Sequence, residues 1–208
     1  MPTATPSLTR FDAPARPNAV ILMLHGGKPN SHAEVDGRSA SWQRSAWMAR
    51  SIADRAHEGG ASVWLLRYRE RGWNGGRERA ADAQWALDQV RDTHGDVPVI
   101  LLGHSMGARV AVQVADDASV AGVVGLAPWW SSTDPVRTLV GKTLIAAHGR
   151  RDRITSIAQT RHFVERARPV AAHAELVDMG LLGHYMLGSA DRWNDVAIES
   201  SLRILTPA

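Results

Sequence analysis

The chain has 208 residues, 44% of them hydrophobic, and its 24 basic and 21 acidic residues give a formal net charge of +3. That length and apolar content suffice for one sizeable core, and nothing in the residue order marks a second domain. The lack of cysteine excludes disulfides, thiolate metal sites and a cysteine nucleophile.

A pI near 9.9 reflects arginine, since Lys28 and Lys142 are the two lysines and the other 22 basic residues are arginines. The densest basic stretch, 67–79, is broken by acids and glycines. It reads as a solvated loop and helix start, with contact to an anionic ligand as the alternative, and no nucleic-acid partner is expected.

Residues 1–18 hold Pro2, Pro6, Pro14 and Pro17 and read as a loose segment with room for one edge strand over 8–11, while 19–208 reads as a single domain. There is no basic stretch followed by an apolar one at the start, nor a run of about 18 apolar residues later, so a cytoplasmic protein with no membrane partner is expected. Residues 19–24 form a continuous apolar run that suits a strand buried on both faces, ending in His25-Gly26-Gly27. A helix is expected over 45–56, closed by Gly59-Gly60, and a second buried strand over 62–68. The Ala-rich segment 78–94 predicts a helix with Ala81, Trp85, Leu87 and Val90 toward the core, stopped by Gly95. Further strands are expected over 97–102, 120–126, 143–147 and 174–177, and helices over 108–115, 157–167 and 190–205. Such alternation predicts an α/β fold, a mainly parallel sheet covered by helices on both faces.

In open α/β sheets, ligands collect beyond the carboxyl ends of the strands. The polar residues at those ends are His25 to Gly27, Ser105, the stretch from His148 to Asp152, and His184. Ser105 lies in Gly103-His104-Ser105-Met106-Gly107, a G-x-S-x-G pattern between an apolar run and an amphipathic one, where a strained strand-to-helix turn would expose the hydroxyl. Chance supplies that pattern in about one chain in nine of this composition, so the flanking elements carry the inference. Alone, a serine between glycines is an ordinary turn residue.

Taken together, these residues resemble the α/β-hydrolase fold over roughly 19–205. The likeness is to small lidless esterases and thioesterases and to dienelactone-hydrolase-like single-domain members, here with a serine nucleophile. In that family the triad runs Ser, then acid, then His, which the resemblance maps onto Ser105, Asp152 and His184. It also implies an oxyanion hole from the backbone N–H groups of Gly27 and Met106, with Lys28 as the fallback. Asp152 has a rival reading as a surface carboxylate paired with Arg150, Arg151 or Arg153, in which case Asp178 or Asp134 would substitute. His104 is expected to point away from the pocket, His25 and His148 to brace loops, and His162 and His173 to have no role.

Only residues 129–141 occupy the place where many family members insert a cap, so an open site is expected, independent of interfacial activation. Trp129, Trp130 and Tyr185 are the substrate-binding candidates, with Met106 and Met186 adding apolar surface and Trp73 either near the pocket edge or anchoring its own loop. No H-E-x-x-H motif or P-loop is present, so no metal and no cofactor are expected. The implied activity is hydrolysis of a carboxylic ester or thioester through an acyl-enzyme, on a small-molecule acyl substrate, by a monomer or small homo-oligomer. The alternatives are a non-catalytic binding protein on the same scaffold, or the same triad used for amide hydrolysis, acyl transfer or lyase chemistry.

Overall fold

Residues 4–186 and 189–206 are described by a computed structural model, so the first three residues of the N-terminal segment, and 187–188 and 207–208 of the expected domain, lie outside the described residues. Seven strands form one sheet: β1 (Ser7–Phe11), β2 (Ala19–Leu24), β3 (Ala61–Arg67), β4 (Val99–His104), β5 (Val120–Leu126), β6 (Thr143–His148) and β7 (His173–Asp178). Their spatial order is β1-β3-β2-β4-β5-β6-β7, with β1 antiparallel at the edge and every other pairing parallel. Five helices cover the sheet: α1 (Ala40–Glu58), α2 (Arg77–His94), α3 (Met106–Gln113), α4 (Ile157–Ala167) and α5 (Ala190–Leu205).

The pleat of β2 explains the three layers. Val20, Leu22 and Leu24 enter a core with α2, α3 and α4, whereas Ile21 and Met23 enter a second core with α1 and α5. A strand apolar on both sides can satisfy both, which is why 19–24 is unbroken in apolar character. Between β5 and β6 the chain forms only turns and the short 3-10 helix Arg137–Leu139, so the sheet carries no large cap. No described helix is long and apolar enough to cross a membrane.

Several boundaries differ from the sequence reading, for local reasons. Helix α1 starts at Ala40, five residues before the expected 45, because Ser39 stops the loop: its N–H donates to the Asp36 carbonyl and its own carbonyl accepts from Gln43 N–H at 2.9 Å. Strand β4 begins at Val99 because Pro98 has no N–H to donate, and it runs on to His104 because the turn into α3 takes one residue. In α2, Ala81 is exposed and Trp85 half-buried, while Arg79 and Asp82 are fully buried beside Ala83, Ala86, Leu87 and Val90. A buried ion pair thus shifts the inward face away from the purely apolar stripe. Within the segment expected to be loose, 7–11 forms the edge strand.

Helix α3 lies directly against the sheet. A Cβ on Gly107 would stand 1.9 Å from the Leu24 carbonyl oxygen, and one on Gly103 would stand 2.4 Å from the Ala108 nitrogen. Backbone cannot yield there, so Gly107→Ala is expected to lose about 3 kcal/mol or more, the upper range for overpacking. Gly37→Ala meets open space and serves as the near-neutral control. Thermal unfolding separates the two, with a drop of about 6–12 °C for Gly107→Ala if roughly 2–4 °C accompanies each kcal/mol. A matched small shift for both variants would show that the helix has more clearance than these distances allow.

Candidate active site

The carboxyl ends of β2, β4, β6 and β7 converge on the turn between β4 and α3. Ser105 occupies that turn alone, with φ 54° and ψ −114°, a conformation disfavoured for any side-chain-bearing residue. It is held from both sides: its N–H donates to the Leu126 carbonyl at 3.0 Å, and its carbonyl accepts from Trp129 N–H at 3.1 Å. Backbone strain of this kind costs about 1–3 kcal/mol and persists only where the surroundings fix it.

Asp152 and His184 come together because their loops are laced. Arg150 and Arg151 N–H donate to the carbonyls of Gly180 and Leu182, at 2.6 and 3.1 Å, and Gly149 lies so close that a Cβ would stand 2.1 Å from the Leu182 oxygen. His184 Nδ1 is then 2.8 Å from Asp152 Oδ2, with both side chains nearly buried. With Nδ1–H donating to the carboxylate, Nε2 keeps its lone pair. The His104 ring, next to Ser105 in the chain, sits 5.0 Å from the His184 ring and meets the His184 carbonyl through Nε2 at 3.1 Å, which sets His184 beside the elbow.

Three residues complete the surroundings of the acid. Thr155 Oγ donates to Asp152 Oδ2 at 2.8 Å, and the N–H groups of Ile154 and Thr155 donate to Oδ1 at 2.7 and 2.8 Å. His148 Nε2 stands 3.3 Å from Oδ2, while its Nδ1 meets Thr160 Oγ at 2.8 Å. Burial pushes the Asp152 carboxyl up, but His148, His184 and the two N–H donors outweigh it and hold it well below the usual carboxylate range. The rival readings of the acid do not match this geometry. Asp178 is an exposed partner of Arg150, and Asp134 pairs with Arg109 at 2.9 Å. His148 braces the acid loop, whereas the only signal for Thr155 in the sequence is its place three residues after an aspartate in a turn.

The loop after β2 presents Gly27 opposite Met106. A Cβ on Gly27 would stand 2.5 Å from Met106 Cε and 2.4 Å from the Arg71 carbonyl oxygen. Among the described residues the N–H groups of Gly27 and Met106 have no backbone acceptor, whereas Lys28 N–H donates to the Arg71 carbonyl at 2.9 Å. The fallback is therefore already engaged. Trp73 N–H donates back to the Lys28 carbonyl at 2.8 Å, so 69–76 clasps 27–31. Behind the clasp, buried Arg79 donates through Nη1 to the carbonyls of Glu70 and Gly72 at 2.9 and 3.2 Å, and Asp82 takes Arg69 Nε at 2.6 Å. The arginine-rich stretch is thus mostly internal bracing.

Of the three substrate-binding candidates, Trp130 is corrected. It is buried, stacks on Phe163 at 4.3 Å and donates Nε1–H to the Ala108 carbonyl at 2.9 Å, because its side chain points into the α3–α4 core. Trp129 is half-buried and, with Ile154, Thr155 and Ile157, lines an open cleft of about 400 Å³ beside Asp152. Trp73 packs edge-on against Trp129 at 6.3 Å, and Tyr185 is exposed next to His184. Among the described residues no group of three or more His, Cys, Asp or Glu side chains is placed to hold a metal ion.

A family model of the alpha/beta hydrolase fold matches residues 19–165, most of the chain. The chain belongs to the α/β-hydrolase fold family. Among solved structures, this α/β-hydrolase is similar to an alpha-beta serine hydrolase homologue from Coxiella burnetii, at 16% identity and TM-score 0.72, covering 96% of this chain and 93% of that one. A serine hydrolase without lid from Xanthomonas campestris matches at 19% identity and TM-score 0.69, covering 100% and 98%. Est1E of Butyrivibrio proteoclasticus with ferulic acid bound matches at 10% identity and TM-score 0.70, covering 96% and 95%. At these identities the likeness is one of fold. The search of curated proteins finds no match.

Two histidines of this α/β-hydrolase flank the site uncharged. Burial is the main cause for both: with help from the Arg79 and Arg67 charges it pulls His25 down to about 4, and with help from His184 it pulls His104 down to about 3. Unfolded, each would take a proton near pH 6.5. Below that pH the unfolded chain binds more protons than the native one, so stability falls as pH drops toward the folded values and levels off beneath them. Between about pH 6 and 5, above the range where the lowered carboxylates take up protons, the unfolding free energy is expected to fall with a slope of about two protons, and His104→Gln to flatten it to about one. Urea titrations across that range measure the slope; an unchanged slope in the variant would mean that His104 is protonated in the native protein.

Proposed function

We propose that this chain is a serine hydrolase that cleaves a carboxylic ester or thioester through an acyl-enzyme on Ser105. The observation that carries the reading is the buried Asp152–His184 pair at 2.8 Å beside a serine held at φ 54°. A serine hydroxyl is a weak nucleophile unaided and needs a base whose partner is already oriented. In the proposed reaction Ser105 Oγ attacks the acyl carbon as its proton passes to His184 Nε2. Asp152 holds the imidazole tautomer and stabilises the imidazolium. The oxyanion takes the N–H groups of Gly27 and Met106, the carbonyl re-forms as the bond to the leaving group breaks, and His184 returns the proton to the departing alcohol or thiol. A water molecule, deprotonated by His184, then releases the acid and restores Ser105.

Trp129 and Tyr185 fit the role of apolar walls on two sides of the serine, and the absence of a large cap suits a site that works on dissolved, monomeric substrate. A short-chain activated ester should therefore be turned over without a rate jump above its critical micelle concentration. A fluorophosphonate probe should add one label to the native protein and none to Ser105→Ala, read by intact mass. Ser105→Ala or His184→Ala should each lower ester turnover by about 10³-fold or more, because such residues act as a unit. Labelling that survives Ser105→Ala would remove Ser105 from the mechanism.

A further inference from the structure

Most of the partly buried arginines around the site are matched to a carboxylate. Arg69 takes Asp82 at 2.6 Å, Arg71 takes Asp36 at 2.7 Å and Arg109 takes Asp134 at 2.9 Å. Two have no such match among the described residues: Arg67, which lies over the Trp42 ring at 4.0 Å, and the more loosely held Arg44. Arg44 projects from the first turns of α1 and is half-buried. Its Nε is fully buried with no hydrogen-bond acceptor, and its guanidinium carbon lies 5.1 Å from the ring centroid of Tyr185, the residue after His184. With Trp47, Met48, Met186, Ala190 and Asn194 it lines a narrow, largely apolar slot.

Burying part of a charge without a partner is costly, and a guanidinium offers a planar fork of donors suited to a carboxylate. Desolvation already lowers the Arg44 pKa from its usual value, in keeping with a cation that lacks its counter-ion. We propose that Arg44 is an anion-recognition residue at the rim of the site, and that the preferred substrate carries a carboxylate on its leaving group. The inference rests on the serine hydrolase reading for its orientation, since His184 protonates the departing group and so stands on that group's side of the bond. Arg44, over the ring of the neighbouring Tyr185, stands on the same side. A single guanidinium against an aromatic face suits a monoanion.

The comparison is between 4-acetoxybenzoate and 4-acetoxybenzamide, which differ chiefly in charge at the far end of the leaving group. The native protein is expected to favour the benzoate in kcat/KM by about tenfold or more, the scale of one charge-assisted hydrogen bond. The ratio should fall to about one in Arg44→Met and recover in part in Arg44→Lys, which keeps the charge and guards against a folding defect in the first variant. A native ratio near one, or a preference that survives Arg44→Met, overturns the assignment while leaving Ser105 untouched. Binding is read separately from chemistry by thermal unfolding of Ser105→Ala with 4-hydroxybenzoate against 4-hydroxybenzamide. Stabilisation by the benzoate alone, lost when Arg44→Met is added, supports the anion site even if neither ester is cleaved and the serine reading fails. Equal effects of the two ligands sink it.

Discussion

Helix α3 packs against β2 and β4 with no room for a Cβ at Gly103 or Gly107, and this clearance fixes the geometry of everything above it. The strand must reverse into the helix within one residue, so Ser105 is forced to positive φ and its side chain leaves the layer of packed backbone. An energetic deficit is thereby stored at Ser105, which stays largely buried at the head of α3. What offsets it lies below the turn. Trp130, with its indole N–H on the Ala108 carbonyl and its ring against Phe163, ties the first turn of α3 to the core, and a Cβ on Gly125 would touch its ring at 2.9 Å.

Electrostatics near the turn are arranged around the buried Asp152 carboxylate. It accepts from two backbone N–H groups, Thr155 and His184, which hold its pKa well below the usual carboxylate range. His104, 5.0 Å from His184, is kept neutral chiefly by burial. Were it charged, it would oppose formation of a second imidazolium beside it. His25 is neutral for the same main reason and closes the other flank, with its Nδ1 meeting the Gly26 carbonyl at 2.6 Å. His184 thus faces one nearby carboxylate and no neighbouring imidazolium. The cost of keeping two imidazoles dry and uncharged appears as sensitivity to acid.

Much of this order was readable from residues alone, because the informative signals are local. Apolar runs such as 19–24 and 120–126 can be little else than buried strands, and the polar residues following each run mark one edge of the sheet. What could not be read depends on contacts across the fold. Arg79 and Asp82 look like solvent-facing charges on a helix, and only the loop carbonyls of Glu70 and Gly72 explain why the arginine is buried. Trp129 and Trp130 are adjacent and chemically identical, yet strand-end geometry turns one to the cleft and the other to Phe163. Thr155 carries no mark that sets it apart from any other turn threonine until Asp152 is seen beside it.

The most consequential miss is the start of α1. Helical periodicity is clearest from Ser45 onward, whereas 40–44 mix Trp42 and Arg44 with small and polar residues and read as loop. As helix, they become a rigid shelf at the carboxyl edge of the sheet, aimed at the His184 loop and held by fixed backbone geometry. The division of labour follows from that placement. The sheet, α3 and the laced loops can be set by packing that any substrate would share, while the shelf touches only the outer end of the site. Residues there can change without disturbing the elbow, and a half-buried arginine with no carboxylate partner among the described residues is a local inconsistency of the kind that marks functional positions more often than packing.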